Sequence, residues 1–116
     1  MVLDSPQRLT ILVIDDDPVN LQLLISFLND NVYQVISFTN GQDALVWLKN
    51  NTLPDLILLD IMMPGMNGYD VCQKIRQTMP SHQLPIIFLS ALDQHNTFKA
   101  SNKSGANDYV TKPFSC

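Results

Sequence analysis

Short apolar runs alternate along the chain with longer segments in which apolar residues recur at helical spacing. A short apolar run bounded by polar or turn-forming residues is typical of a strand buried on both faces of a sheet. Five runs predict strands at residues 11–14, 33–38, 56–60, 85–90 and 108–111. The segments between them predict helices that begin at Pro18, Gly41, Gly68 and Asp93, the third of them ended by Pro80. The fourth helix, residues 93–104, is rich in Asn, Ser and Thr and has low intrinsic stability.

The strict alternation of strand and helix predicts the fold class. A β-α-β-α-β-α-β-α-β order favours an α/β fold with a doubly wound parallel sheet, right-handed crossovers and helices on both faces. A chain of 116 residues with 46% hydrophobic residues fits one small domain with a real core. We assign residues 1–9 to a polar N-terminal arm and residues 10–116 to the domain.

Polar side chains cluster where the predicted strands end. Asp15 and Asp16 follow the first strand, Asp60 ends the third, Ser90 ends the fourth and Lys112 follows the fifth. Ligands bind at the carboxyl ends of strands in an open parallel sheet, so these residues would surround one crevice if the first and third strands are adjacent. Each residue also has an ordinary alternative role, in helix capping, in a turn or as a solvated surface charge. Their coincidence at strand ends favours a functional site.

The residue types in this crevice suit phosphoryl transfer. Three close carboxylates repel one another unless a cation or a proton neutralises them, and hard oxygen ligands suit Mg²⁺. Asp60 would be the nucleophile that forms an aspartyl phosphate. Mg²⁺ and the Lys112 ammonium would neutralise the phosphoryl oxygens, and the Ser90 hydroxyl would donate a hydrogen bond to one of them.

Charge and cysteine content argue against other classes of protein. The net charge is −4, from 7 basic and 11 acidic residues, which disfavours binding of nucleic acid or anionic membranes through this segment. No apolar run approaches the roughly 18 residues of a membrane span, and the first residues lack the apolar core of a signal peptide. Cys72 and Cys116 fit neither a metal site nor a disulfide framework. We therefore expect a reduced, cytoplasmic setting.

These motifs together resemble the receiver domains of response regulators in two-component signalling. The resemblance rests on four segments that span essentially the whole chain: residues 11–17 (ILVIDDD), 58–68 (LLDIMMPGMNG), 90–91 (SA) and 105–114 (GANDYVTKPF). It implies a flavodoxin-like fold with strand order 2-1-3-4-5. It also implies a phosphoprotein that receives its phosphoryl group from a histidine kinase or phosphotransfer protein and acts on an output domain or partner protein.

The resemblance implies a role for each acidic site residue. Asp60 would accept the phosphoryl group. Asp16 would bind Mg²⁺ directly and Asp15 through water, with the Asp60 carboxylate and the Met62 backbone carbonyl as further ligands.

The remaining motif residues would form the conformational switch. Ser90 and Lys112 would contact the phosphoryl group, and Tyr109 would be the aromatic switch residue that fills the space Ser90 vacates. The weak fourth helix lies between them and would shift easily. The peptide bond between Lys112 and Pro113 would be cis, as in the family.

Two departures from the family pattern lead to further expectations. Receiver domains usually carry a fifth helix after Lys-Pro-Phe, and here only two residues follow, so we expect a C-terminally truncated fragment. Its uncovered apolar face, which includes Leu23 and Phe27, would favour self-association such as a homodimer. The residues two after Asp60 and two after Ser90 are Met62 and Leu92, and neither side chain can orient an attacking water. We therefore predict slow autodephosphorylation.

Two rival functions share parts of this pattern. A pseudo-receiver would keep the fold as a phosphorylation-independent interaction module. A haloacid-dehalogenase-like phosphatase would use Asp15 as its nucleophile in an Asp-x-Asp motif, but the later acidic motif that such enzymes need is absent. We therefore expect no enzymatic activity beyond self-phosphorylation from a donor and slow autodephosphorylation.

Overall fold

Five parallel strands form one sheet in the order β2-β1-β3-β4-β5. The computed structural model describes residues 9–28, 33–91 and 106–112, and only the backbone of Ser90, Ala91, Tyr109, Thr111 and Lys112. The strands are β1 (Leu9–Ile14), β2 (Tyr33–Phe38), β3 (Leu56–Asp60), β4 (Ile86–Ala91) and β5 (Asp108–Lys112), and the helices are α1 (Pro18–Leu28), α2 (Gly41–Asn50) and α3 (Gly68–Arg76). The predicted fold class and strand order are confirmed. The predicted fourth helix, Leu92 and the bond to Pro113 lie outside the described residues.

Two element boundaries differ from the sequence prediction by more than one residue. Strand β1 begins at Leu9, so this residue belongs to the sheet and not to the arm. Helix α3 ends at Arg76 and does not continue to Pro80; a turn follows, in which the Met79 amide donates to the Ile75 carbonyl. The residue before a proline avoids helical backbone angles, so the helix has to end before Met79.

Alternate residues of each central strand enter two separate cores, as a sheet covered on both faces requires. The core beneath α1 contains Ile11, Val13, Leu58 and Leu89 together with Leu21 and Leu24 of the helix. The core beneath α2 and α3 contains Leu12, Ile14, Ile57, Leu59, Ile86 and Phe88 together with Ala44, Val71, Cys72 and Ile75. Cys72 of this core is a free, buried cysteine.

Each described helix begins at the carboxyl edge of the sheet with a capping residue. Asp17 accepts a hydrogen bond from the Val19 amide at 2.9 Å and so caps α1. Asn40 caps α2 in the same way. Asn67 caps α3 in a capping box, in which the Asp70 side chain in turn accepts the Asn67 amide. The helix starts are therefore held firmly next to the strand ends.

The outer face of α1 carries the apolar residues that were predicted to be uncovered. Leu23 and Phe27 are 39% and 44% exposed. Self-association through this face stays a prediction.

Candidate functional site

Two buried aspartates lie next to each other at the carboxyl edge because of how β1 pairs with β3. The parallel register joins Val13 to Leu58 and Ile14 to Leu59. One residue further along, Asp15 follows β1 and Asp60 ends β3, so the two aspartates are neighbours. Asp15 remains attached to the sheet on its other side, since its amide donates to the Phe38 carbonyl at 3.1 Å.

Asp16 completes a group of three carboxylates. One oxygen each from Asp15, Asp16 and Asp60 can be chosen so that all three lie within 4.8 Å of one another. Asp15 and Asp60 are 0% and 3% exposed, whereas Asp16 is exposed to solvent. Burial of close like charges is costly without a cation. Hard carboxylate oxygens with one side open to water are the ligands that Mg²⁺ prefers, so the residues fit this ion.

Hydrogen bonds made by Asp15 and Asp17 fix the backbone on either side of Asp16. Asp15 Oδ1 accepts the Asp17 amide at 2.9 Å, which forms a tight turn directly after β1. The Asp17 carbonyl accepts the Leu21 amide at 3.1 Å and so joins this turn to α1. Asp16 therefore lies between two residues whose positions are constrained, Asp15 and Asp17, and its own side chain is exposed to solvent.

The loop after Asp60 is closed against the sheet. The Ile61 amide donates to the Leu89 carbonyl at 3.2 Å, and the Gly68 amide donates to the Ile61 carbonyl at 2.9 Å. Gly65 has a φ of 77°, a left-handed conformation that glycine adopts without strain. The Met62 side chain, two residues after Asp60, is 65% exposed in this loop.

The strand register also brings the backbones of the other predicted site residues to this edge. Ser90 lies one position beyond the β4 residue that pairs with Asp60. Lys112 ends β5 and pairs with Ala91, and Tyr109 lies three residues earlier on β5. The roles of the Ser90, Tyr109 and Lys112 side chains lie outside the described residues and stay predictions.

Two tertiary contacts were missed from the sequence, one at the site and one at the opposite edge of the sheet. A Cβ atom at Gly68 would overlap the backbone carbonyl oxygen of Asp60, so glycine is required where α3 meets β3. Arg76 donates to the Leu84 carbonyl at 2.8 Å and to Asn107 Oδ1 at 3.1 Å, and Asn107 Oδ1 also accepts the Ile86 amide at 3.0 Å. Arg76 therefore ties the end of α3 to the segments that lead into β4 and β5. The spacing of Asn67 and Asp70 is a local signal of the capping box, which the sequence prediction did not include, whereas contacts across the fold have no local pattern.

Comparison with known proteins identifies the family to which this arrangement belongs. The model of the response regulator receiver domain matches residues 11–116. The chain belongs to the response regulator receiver domain family. Response regulator PleD of Caulobacter vibrioides is 40% identical over 103 residues, which cover 89% of this chain and 22% of PleD. Protein PilH of Pseudomonas aeruginosa is 33% identical over 103 residues, which cover 89% of this chain and 84% of PilH.

A solved receiver domain shows the same fold. The receiver domain of the Francisella response regulator 1452 superposes with a TM-score of 0.79 at 35% identity, covering 93% of this receiver chain and 87% of that chain. This receiver chain spans less than half the length of several curated relatives, PleD among them. In the described part of the receiver, no helix has both the length and the apolar character needed to cross a membrane.

Proposed function

We propose that this receiver domain is a phosphorylation-dependent switch whose only chemistry takes place on Asp60. The observation that carries the proposal is the group of three carboxylates at the carboxyl edge of the sheet in a chain of the receiver family. Two of these carboxylates are buried, so the site favours a bound cation, and one of the buried pair ends a strand where a ligand can reach it.

The proposed reaction transfers a phosphoryl group from the phosphohistidine of a histidine kinase or phosphotransfer protein. An Asp60 carboxylate oxygen attacks phosphorus and forms an O–P bond while the P–N bond breaks. The electron pair of the broken bond stays on the imidazole nitrogen of the donor. Mg²⁺, when held by Asp15, Asp16, Asp60 and the Met62 backbone carbonyl, would neutralise charge on the phosphoryl oxygens. The burial of Asp60 limits the access of water to the product.

The proposed output is a shift of the β4 and β5 ends. Ser90 and Lys112 would contact the phosphoryl group, and Tyr109 would change its rotamer as Ser90 moves. Proximity of the β4 and β5 ends to Asp60 in the strand register supports this coupling. An output domain or partner protein would then recognise the altered surface.

The decisive experiment is intact-mass spectrometry of the 116-residue chain after incubation with acetyl phosphate, with and without Mg²⁺. We expect the addition of one phosphoryl group that requires Mg²⁺ and is abolished by Asp60→Asn. Asp17→Asn is the matched control, because asparagine also caps a helix and Asp17 lies outside the group of three carboxylates. Peptide mapping then locates the modified residue.

The same experiment separates the rival functions. Modification of Asp15 in place of Asp60 would indicate the phosphatase chemistry. A chain that binds Mg²⁺ but never gains a phosphoryl group, from acetyl phosphate or from a phosphorylated histidine kinase, would be a pseudo-receiver.

A further inference from the structure

A second concave surface lies between α2, α3 and the segment that follows α3. It encloses about 400 Å³, a volume typical of pockets that bind small molecules. Eight of its thirteen described lining residues are apolar, among them Leu45, Leu48, Met66, Met79 and Leu84. The two methionines have flexible, polarisable side chains that adapt to the shape of an occupant. We call this surface the α2–α3 groove.

Exposed apolar side chains stand at the mouth of the α2–α3 groove. Val46 is 51% exposed and Leu53 is 40% exposed, and both line the groove. Removing such apolar surface from water on binding is favourable. The groove therefore suits a ligand with an aliphatic part.

The charged residues of the groove all carry the same sign. Among the described lining residues, Lys49 and Lys74 are the only charged ones. They stand in the last turns of α2 and α3, and neither forms an ion pair with another described residue. This basic rim occurs in a chain whose net charge is −4, so it does not simply follow overall composition. Its charge complements an anion.

The α2–α3 groove is distinct from the acidic site. Both helices begin at the carboxyl edge of the sheet, where Asp60 lies, and run back along one face. Their last turns, which carry Lys49 and Lys74, therefore lie toward the opposite edge of the sheet.

We propose that the α2–α3 groove binds a small amphipathic carboxylate. The aliphatic chain would lie against Leu45, Leu48 and Met79, and the carboxylate would pair with Lys49 or Lys74. The limited volume favours a single medium-length aliphatic chain over a whole protein segment.

The test is a titration of the 116-residue chain with decanoate, kept below its micelle concentration, and followed by the methyl NMR signals of Met66 and Met79. We expect saturable binding that shifts both methyl signals. Decyltrimethylammonium, which has the same chain length and the opposite charge, should bind much more weakly. Lys49→Gln and Lys74→Gln should each weaken decanoate binding roughly threefold, because an exposed ion pair contributes modestly. The double substitution Lys49→Arg/Lys74→Arg should preserve binding.

A matched pair of valine substitutions controls for location. Val46→Asp places a negative charge at the mouth of the groove and should weaken decanoate binding at least tenfold. Val19→Asp makes the same change at a valine of α1 that is 66% exposed, and should leave decanoate binding unchanged. Both positions are exposed, so we expect both variants to fold.

Several results would overturn the proposal. These are the absence of saturable decanoate binding, equal binding of the cationic amphiphile, and full decanoate binding by the double variant Lys49→Gln/Lys74→Gln, which lacks both lysine charges. Shifts of the same methyl signals on dilution, without any effect of decanoate, would instead assign the groove to a second copy of the chain. An acidic amphipathic peptide that shifts these signals when decanoate does not would assign it to a protein segment.

Discussion

Gly68 lies so close to the backbone carbonyl of Asp60 that a methyl group there would overlap the carbonyl oxygen. The start of α3 thus rests directly on the strand end that carries the proposed phosphoryl acceptor. The Gly68 amide also donates to the Ile61 carbonyl, so the contact fixes both ends of the loop between them. This relationship leads to the first prediction.

We expect Gly68→Ala to lower the free energy of unfolding by about 2 kcal/mol, as overpacking against a fixed backbone does. It should also slow phosphorylation of Asp60, because the loop must move away from the strand. Gly65→Ala is the matched control in the same loop: nothing lies within 4 Å of its added Cβ, and its positive φ costs about 1 kcal/mol. Urea unfolding and the rate of labelling by acetyl phosphate measure the two effects. Equal labelling rates for the two variants would show that the Gly68 contact does not position Asp60.

The acidic group predicts a residue-specific effect on Mg²⁺ affinity. Asp16→Asn should weaken Mg²⁺ binding at least about tenfold, since it replaces a charged ligand by a neutral one. Asp17→Asn changes the neighbouring exposed carboxylate, lies outside the group and should change affinity less than about twofold. Isothermal titration calorimetry with MgCl₂ distinguishes them. If both variants lose affinity to the same extent, the ion is held by general acidity of this segment and not by the group of three.

Repulsion among the three carboxylates predicts that removal of one of their charges stabilises the metal-free domain. Asp60→Asn should raise the free energy of unfolding in EDTA by about 1–2 kcal/mol, because one buried charge next to two others is lost. This gain in the free energy of unfolding should shrink in saturating Mg²⁺. The ion binds the wild type more tightly than the variant and therefore stabilises the wild type more. Thermal and urea unfolding with and without Mg²⁺ test this prediction. A variant less stable than wild type in EDTA would contradict it.

The contacts of Arg76 predict a large cost for a conservative change. Arg76→Lys keeps the charge, but lysine cannot donate to the Leu84 carbonyl and to Asn107 Oδ1 at the same time. We therefore expect the free energy of unfolding to fall by about 1–3 kcal/mol. Lys74→Gln, in the same turn, should cost less than about 0.5 kcal/mol. In a double-mutant cycle, the combined variant Arg76→Lys/Asn107→Ala should lose less stability than the sum of the losses of the two single variants. Strictly additive losses would mean that the Arg76–Asn107 hydrogen bond contributes nothing.

The contribution of Arg76 to the free energy of unfolding should not depend on pH between 6 and 9. Burial lowers the pKa of Arg76 from its ordinary value, with a smaller opposing effect of Cys72. A cation whose pKa is lowered on folding destabilises the folded state while it is charged. That penalty disappears only as the pH rises through the folded-state pKa, in the strongly alkaline range, because guanidinium stays protonated near neutrality.

The side chain at position 62 predicts the lifetime of the phosphorylated form. Met62 lies two residues after Asp60, and its side chain is 65% exposed and cannot orient water, so the wild-type phosphoryl group should persist well beyond seconds. Met62→Asn should accelerate its loss roughly tenfold, because an amide can position an attacking water. Met62→Leu, which keeps an apolar side chain, should leave the lifetime unchanged. The decay of the phosphorylated mass after donor removal measures this, and a wild-type half-life of seconds would contradict the prediction.

Periodicity alone determined the fold class, the existence of every described strand and helix, and the group of site residues at the strand ends. The reason is that burial on both faces of a parallel sheet demands continuous apolar runs, and the polar residue that ends each run is visible at once in the sequence. The strand order came from family resemblance and was confirmed by the structure.

Only the tertiary structure decided how the site residues lie relative to one another. The β1–β3 register sets Asp15 beside Asp60, buries both and leaves Asp16 exposed, and no local pattern encodes a register between strands that are over 40 residues apart. The contact of Gly68 with the Asp60 carbonyl, the bond from Arg76 to Asn107 and the pairing of α2 with α3 that forms the groove are likewise contacts between distant segments. Their geometry depends on how the whole chain packs, so no local stretch of sequence shows it.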